Sequence, residues 1–316
     1  MRVVVTGAAG YIGGETSLKL LDAGHTVFGI DQRVPPMHLR DYNIAWLTGD
    51  FIGEVALDNI KRFNADAIIH CAGTSLVGPS VANPRLYYNN NFVKTKQLVD
   101  YLLDNKINLR LIFSSSASVY GEPTSVPCFE NAPLNPISPY GESKLMIEWM
   151  LDSYRGAYGF DSVSFRYFNA CGADSLVRHG QEHGATHIIA RVLESLKSKD
   201  GKFVLNGNKF FTEDGTCIRD YIHVEDLAQA HIAALDLTVP GGSYNLGTNQ
   251  GTSNLEVITT ASGITLQSLD YTLGPMRSGD PAVLTADATK FQQVSAWRPQ
   301  FNLRDMIQHA WNWYNK

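Results

Sequence analysis

The chain has 316 residues, 44% of them hydrophobic, with a formal net charge of −5 and a pI of about 6.0. That is enough apolar material for one large or two moderate cores, and the acidic balance gives no electrostatic case for nucleic acid. No apolar run has membrane-spanning length, Met1 leads into a core-like strand with no secretory leader before it, and the four scattered cysteines (Cys71, Cys128, Cys171, Cys217) suit reduced thiols in a cytoplasmic protein.

An apolar strand at 2–5 runs straight into V-T-G-A-A-G-Y-I-G at 5–13, and a helical pattern at 10–23 follows. Gly7 permits a tight turn without a Cβ clash. Gly10 lets backbone approach a pyrophosphate, and Gly13 lets the helix pack close to the strand. Amides at the helix start attract phosphate. The next strand, 26–30, ends in Asp31, eighteen residues after Gly13 and at the separation expected for a carboxylate that holds ribose hydroxyls. A carboxylate there repels a 2′-phosphate and so favours NAD over NADP, with Arg33 the one neighbour that favours NADP.

Further apolar strands read at 45–47, 67–70, 109–113 and 162–165, with helical patterns at 54–63, 84–105 and 140–158. Short apolar strands separated by helices predict an α/β, doubly wound parallel sheet of Rossmann type. Ligands in such sheets bind beyond the strand C-terminal ends. Gly7, Asp31, Gly73, Ser114–Ser116 and Tyr167–Asn169 all fall there. The second half reads as a loop at 174–185, a helix at 188–198, a loop at 206–216, a short strand at 219–224, a helix at 224–237 and a terminal helix at 303–314. The expected division is a dinucleotide-binding domain of residues 1–172 plus 218–246, and a smaller mixed α/β domain of residues 173–217 plus 247–316.

Tyr140 and Lys144, in S-P-Y-G-E-S-K, lie four apart and therefore on one helix face. An ammonium beside a phenol favours phenolate, which can then act as a base near neutral pH. The serine cluster 114–116 ends a buried strand and can hydrogen-bond around a reacting hydroxyl; no G-x-S-x-G elbow surrounds it, so a hydrolase nucleophile is not indicated. His179, His183 and His187 share a spacing of four, but Gly180 and Gly184 cost about 1 kcal/mol each inside a helix, so a loop of solvated histidines is expected, and no metal.

Taken together, the glycine turn, FSSSASVYG, SPYGESK, RYFNACGA and TEDGTCIRDYIHVEDLA resemble the extended short-chain dehydrogenase/reductases. Among them the chain is similar to the UDP-glucose 4-epimerase family and its UDP-N-acetylhexosamine relatives, along almost its whole length. The resemblance implies NAD as cofactor and a UDP-sugar as substrate. It makes Tyr140 the acid and base, places Ser116 on the sugar O4, and gives Lys144 the nicotinamide ribose. Cofactor contacts would come from Gly7, Gly10, Tyr11, Ile12, Gly13 and Asp31, from Asp50 and Phe51 beside the adenine, and from Ala72, Gly73, Ser75, Asn91, Ser114 and Tyr167. Asn169 and His187 would face the nucleotide sugar, Arg219 and Arg277 the diphosphate, and Asp280 the uridine ribose. The planar arginine fork pairs with phosphate oxygens.

Three positions depart from the family pattern. Ser75 replaces a lysine, His187 replaces an asparagine, and Leu284 stands where some members carry a tyrosine that narrows the sugar pocket; a smaller residue there goes with N-acetylated sugars. The resemblance also implies a homodimer through the helices at 84–105 and 140–158. The rival readings are a uronate epimerase or decarboxylase, for which no carboxylate-binding group is apparent, and a non-catalytic NAD-responsive binding protein, which would not need Tyr140 and Lys144.

Overall fold

A computed structural model describes residues 1–184, 186–198, 201–276 and 281–316. Its centre is a seven-stranded sheet, parallel throughout. In chain order its first six strands are β1 (Arg2–Thr6), β2 (Thr26–Asp31), β3 (Ile44–Thr48), β4 (Ala67–His70), β5 (Arg110–Ser116) and β6 (Ser162–Tyr167). From one edge the order is Gly242–Leu246, β6, β5, β4, β1, β2, β3. The doubly wound parallel sheet is therefore as expected.

Alternation along the strands builds a core on each face. Val3, Val5, Ile69 and Phe165 pack with Leu20 and Leu227 on one side, and Val4, Ile68, Leu111 and Phe113 with Leu102 and Ile147 on the other. A third cluster lies away from the sheet, where Ile189, Leu193, Phe203, Val257 and Ile307 join the helices Ile188–Lys197, Asn254–Thr265 and Leu303–Tyr314. Strands Ile218–Arg219 and Val283–Leu284 pair in parallel near it, as do Tyr221–His223 and Asn169–Cys171. All four cysteines are free thiols. Among the described residues no helix is long and apolar enough to cross a membrane.

Four elements differ from the sequence reading: the strand expected at 219–224 is two, Ile218–Arg219 and Tyr221–His223, the helix expected at 224–237 ends at Ala233, and two more differ as follows. β5 runs on to Ser116 rather than stopping at Phe113, because Ser114–Ser116 keep their ladder with Phe165–Tyr167. The single helix expected at 84–105 is three pieces: Pro84–Tyr87, a π-helical Tyr88–Val93 and Lys94–Asp104. The wide turn brings Asn91 inside, where its Nδ2 donates to Ser143 Oγ at 2.9 Å and its Oδ1 accepts from the Thr74 amide at 2.8 Å. Periodicity could not show this, since π segments are set by such side-chain demands. The long helix Pro139–Tyr158 matches its expected bounds. Ser138 caps it by accepting from the Gly141 amide, Pro139 opens it, and Gly159 ends it in the left-handed region at φ 68°.

The glycine turn is set by contact. Gly7 has φ +71°, and a Cβ on Gly13 would stand 2.2 Å from the Gly7 carbonyl oxygen. Gly13→Ala must push helix Tyr11–Asp22 off β1. The expected cost is roughly 1–3 kcal/mol of unfolding free energy, read by urea denaturation.

Candidate active-site cleft

The C-terminal ends of the strands open on a cleft of about 650 Å³. Gly7, Gly10, Tyr11, Ile12 and Gly13 line one end. Gly10 is the N-cap of helix Tyr11–Asp22 and no side chain caps it, so the first helical amides remain as donors with the positive end of the helix dipole. A Cβ on Gly10 would meet the Gly7 carbonyl oxygen at 3.1 Å and the Arg33 guanidinium at 3.4 Å. A side chain there would crowd both, and the bare amides with the glycine cradle suit a dinucleotide diphosphate. Tyr11 turns its hydroxyl away, donating to the Gly172 carbonyl at 2.8 Å.

Asp31 ends β2 at the same wall. Its carboxylate accepts from the Ala9 amide at 3.0 Å and the Arg33 amide at 2.8 Å. A carboxylate fixed in this way suits a ribose diol. The Arg33 guanidinium stays beside Asp31, with Nε 3.7 Å from the carboxylate, and also donates to the Ala9 carbonyl at 2.8 Å and to Glu182 at 3.4 Å.

Phe51, Ala72, Gly73, Ser75, Ser114, Tyr167, Asn169, His187 and Leu284 also line the cleft, with Ser116, Tyr140 and Lys144 at its far end. Lys144 Nζ donates to the Ser114 carbonyl at 2.7 Å, lies 4.8 Å from the centre of the Phe113 ring and 5.8 Å from that of Tyr140. Burial lowers its pKa to about 8. Burial likewise raises the Tyr140 phenol above its ordinary value; a hydrogen bond with Ser116 counters this in part, and Tyr87 adds to the rise. The lowering of Tyr140 by Lys144 expected from the sequence is not seen among the protein's own groups, because the ammonium is turned to a carbonyl instead.

Several expected contacts stand behind the wall or spend their polar atoms within the protein. Asp50 accepts from Gln32 Nε2 at 3.0 Å and Lys94 Nζ at 2.5 Å, and it is Gln32 and Lys94 that face the cleft. Asn91 is spent on Thr74 and Ser143. Arg219 lies in strand Ile218–Arg219 beside Leu284 and donates to the carbonyls of Ile218 and Pro281, each at 2.8 Å. Asn169 Nδ2 donates to the Asp220 carbonyl at 2.8 Å. Arg277 and Asp280 lie outside the described residues.

The three histidines do not act together. His179 is buried rather than solvated, with Nδ1 2.9 Å from His38 Nε2 and Nε2 3.0 Å from the Tyr11 carbonyl. His183 is exposed beside Glu194, and His187 reaches the cleft. The loop is polar in sequence, but its turn is pressed onto Gly14 and Trp313. Sequence reading passed over Lys94, Gln32 and Gln181 as cleft residues. Only Lys94 carried a signal, as a cation one helical turn beyond Asn91.

Lys144 has a measurable consequence. It keeps its proton in the fold only below about pH 8, whereas its ordinary value is 10.5. Between these values the unfolded chain binds more protons, so this residue makes stability rise with pH. The unfolding free energy of wild type minus that of Lys144→Met should grow from pH 8 to pH 10, by less than about 1.4 kcal/mol per pH unit; parallel curves would contradict the burial of the charge.

Residues 3–247 match the model of the NAD dependent epimerase/dehydratase family. The chain is 41% identical to a UDP-glucose 4-epimerase of Halalkalibacterium halodurans over 324 residues, covering 100% of this chain and 96% of that protein. Its fold is similar to that of UDP-glucose 4-epimerase from Bifidobacterium longum in complex with NAD+ and UDP, with a TM-score of 0.91, 33% identity and coverage of 100% and 98%. It is also similar to the UDP-Glc/GlcNAc 4-epimerase of Campylobacter jejuni, with a TM-score of 0.85, 33% identity and 99% of each chain covered.

Proposed function

The chain belongs to the NAD dependent epimerase/dehydratase family, and from that premise we propose that it is a UDP-hexose 4-epimerase that interconverts UDP-glucose and UDP-galactose through a transient 4-keto sugar. The observation that carries the reading is the pairing of a buried Tyr140 phenol with Ser116 at the end of β5, one helical turn from Lys144, in the cleft that the glycine turn opens.

Bound NAD supplies the hydride acceptor and donor. Gly7, Gly10, Tyr11, Ile12 and Gly13 hold its diphosphate and Asp31 its ribose diol, with Phe51, Ala72, Gly73, Ser75, Ser114 and Tyr167 along the wall. Asp50 and Asn91 act through the neighbours they orient. Tyr140 takes the proton of the sugar C4 hydroxyl and gives it back, while Ser116 bonds the same oxygen. Lys144 keeps a positive charge behind the phenol and fixes the strand end by its bond to Ser114. The sugar must turn over between the two half-reactions while the nucleotide stays held, so the grip belongs on the remote part. Asn169 and His187 provide it here, with Arg219, Arg277 and Asp280 assigned on the family resemblance alone. In this division residues 1–172 and 218–246 form the cofactor domain, which also brings Ser116, Tyr140 and Asn169 to the sugar nucleotide, and 173–217 and 247–316 form the smaller UDP-sugar domain that adds His187 and Leu284.

Leu284 favours a second substrate pair, UDP-GlcNAc and UDP-GalNAc. It lines the cleft from strand Val283–Leu284 as a half-buried aliphatic side chain that leaves more room than tyrosine would. A homodimer fits the exposed Leu86, Val93 and Trp149 on the two helical segments named for it. Four free thiols fit a cytoplasmic location.

Purified protein given UDP-galactose and NAD should yield UDP-glucose, and failure with both this sugar and its N-acetylated counterpart refutes the reading. Tyr140→Phe should lower kcat by roughly 10²–10⁴-fold with UDP binding retained; a variant of undiminished rate would point to a binding protein. Leu284→Tyr should cut kcat/KM for UDP-GlcNAc by about tenfold or more relative to UDP-galactose, measured by product analysis on both sugars.

A further inference from the structure

Under the cleft floor beside Lys144 runs a line of polar groups to which the proton transfer at Tyr140 gives no part. Cys71 Sγ lies 3.2 Å from Ser114 Oγ, which lies 2.8 Å from the Tyr167 hydroxyl oxygen. That oxygen lies 2.5 Å from His231 Nε2, and His231 Nδ1 lies 2.7 Å from the Leu227 carbonyl oxygen. His231 is fully buried on helix Val224–Ala233, with its ring edge-on to Phe165.

The direction of each proton follows from the last group in the line. A carbonyl only accepts, so His231 Nδ1 carries hydrogen. Burial lowers the His231 pKa to about 4, so the ring is neutral and Nε2 carries none. Nε2 therefore takes the Tyr167 hydroxyl hydrogen. With its own hydrogen spent on Nε2, the Tyr167 oxygen faces Ser114 only as an acceptor, and the Ser114 hydroxyl has two acceptors in reach, that oxygen and Cys71 Sγ. The Tyr167 hydroxyl dipole therefore aims its positive end at His231. Its negative end is the oxygen of a residue that lines the cleft together with Cys71, Ser114 and Lys144.

We propose that His231 is a positioning residue that polarises the cleft floor beside Lys144, so that the positively charged oxidised nicotinamide is held more tightly than the neutral reduced one. Dipoles fixed in a low-dielectric site favour the charge that faces their negative ends. Without the acceptor at Nε2, the Tyr167 hydroxyl is free to turn and offer its hydrogen to Ser114 or to the cleft. The inference rests on the cleft being the NAD site.

The test is calorimetric titration of the full chain, stripped of nucleotide, with NAD+ and with NADH. His231→Leu should raise the ratio of the NAD+ to the NADH dissociation constant by roughly fivefold. His231→Gln, which keeps an acceptor for Tyr167, should stay within about twofold of wild type. Should His231→Leu fail to fold, Tyr167→Phe cuts the same line one step nearer the cleft and must show the same shift. If both affinities fall in parallel, or neither changes, His231 only packs and the proposal is overturned. A wild-type chain that binds neither dinucleotide instead sinks the cofactor reading itself.

Discussion

A buried ammonium with one hydrogen bond governs the arrangement of this cleft. Lys144 is carried to the sheet edge by helix Pro139–Tyr158, and its side chain meets the Ser114 carbonyl at 2.7 Å over the face of Phe113. Taking a charge out of water is costly unless strong partners replace the water. The residues around it follow from that need. β5 must continue past its apolar stretch to present a carbonyl, and polar serines must fill the places next to it.

The helix meets the serines with a polar stripe of its own. Tyr140, Lys144 and Glu148 are spaced four apart and share one face. Tyr140 bonds Ser116, Lys144 bonds the Ser114 carbonyl, and Glu148 bonds Ser115 and pairs with Arg166 at 2.7 Å. Ile147 and Leu151, on the neighbouring face, join the apolar core. The buried Glu148–Arg166 pair also engages Ser243 and Tyr120, so the helix register is specified by several mutually satisfied groups. A shift of one residue would strand a charge, and this holds the phenol at the strand end.

A second buried group ties the rest of the site together. Asp220 accepts from the Thr248 amide and hydroxyl at 2.8 Å, and from the amides of Asn249 and Ala286 at 3.1 Å. Its own carbonyl receives both the amide and the side chain of Asn169. Burial pushes its carboxyl up to about 6 despite these donors. Segments far apart in the chain thus converge beside Leu284 and Arg219.

The sequence alone settled whatever depends on neighbours along the chain. The strand–turn–helix of the glycine motif, Asp31 at the next strand end, the bounds of the long helix and the shared face of Tyr140 and Lys144 are all matters of periodicity and local sterics. Tertiary structure decided which side chains reach the cleft. Asp50 and Asn91 fall one layer back because Lys94, Gln32, Thr74 and Ser143 claim their polar atoms. His179 is buried because its loop folds onto Gly14 and Trp313. His231 reads as one more residue of an apolar helix until the sheet places Tyr167 against it. Hydrogen bonds and burial between distant segments belong to pairs of positions, and a pattern read along one chain holds no record of which pairs will meet.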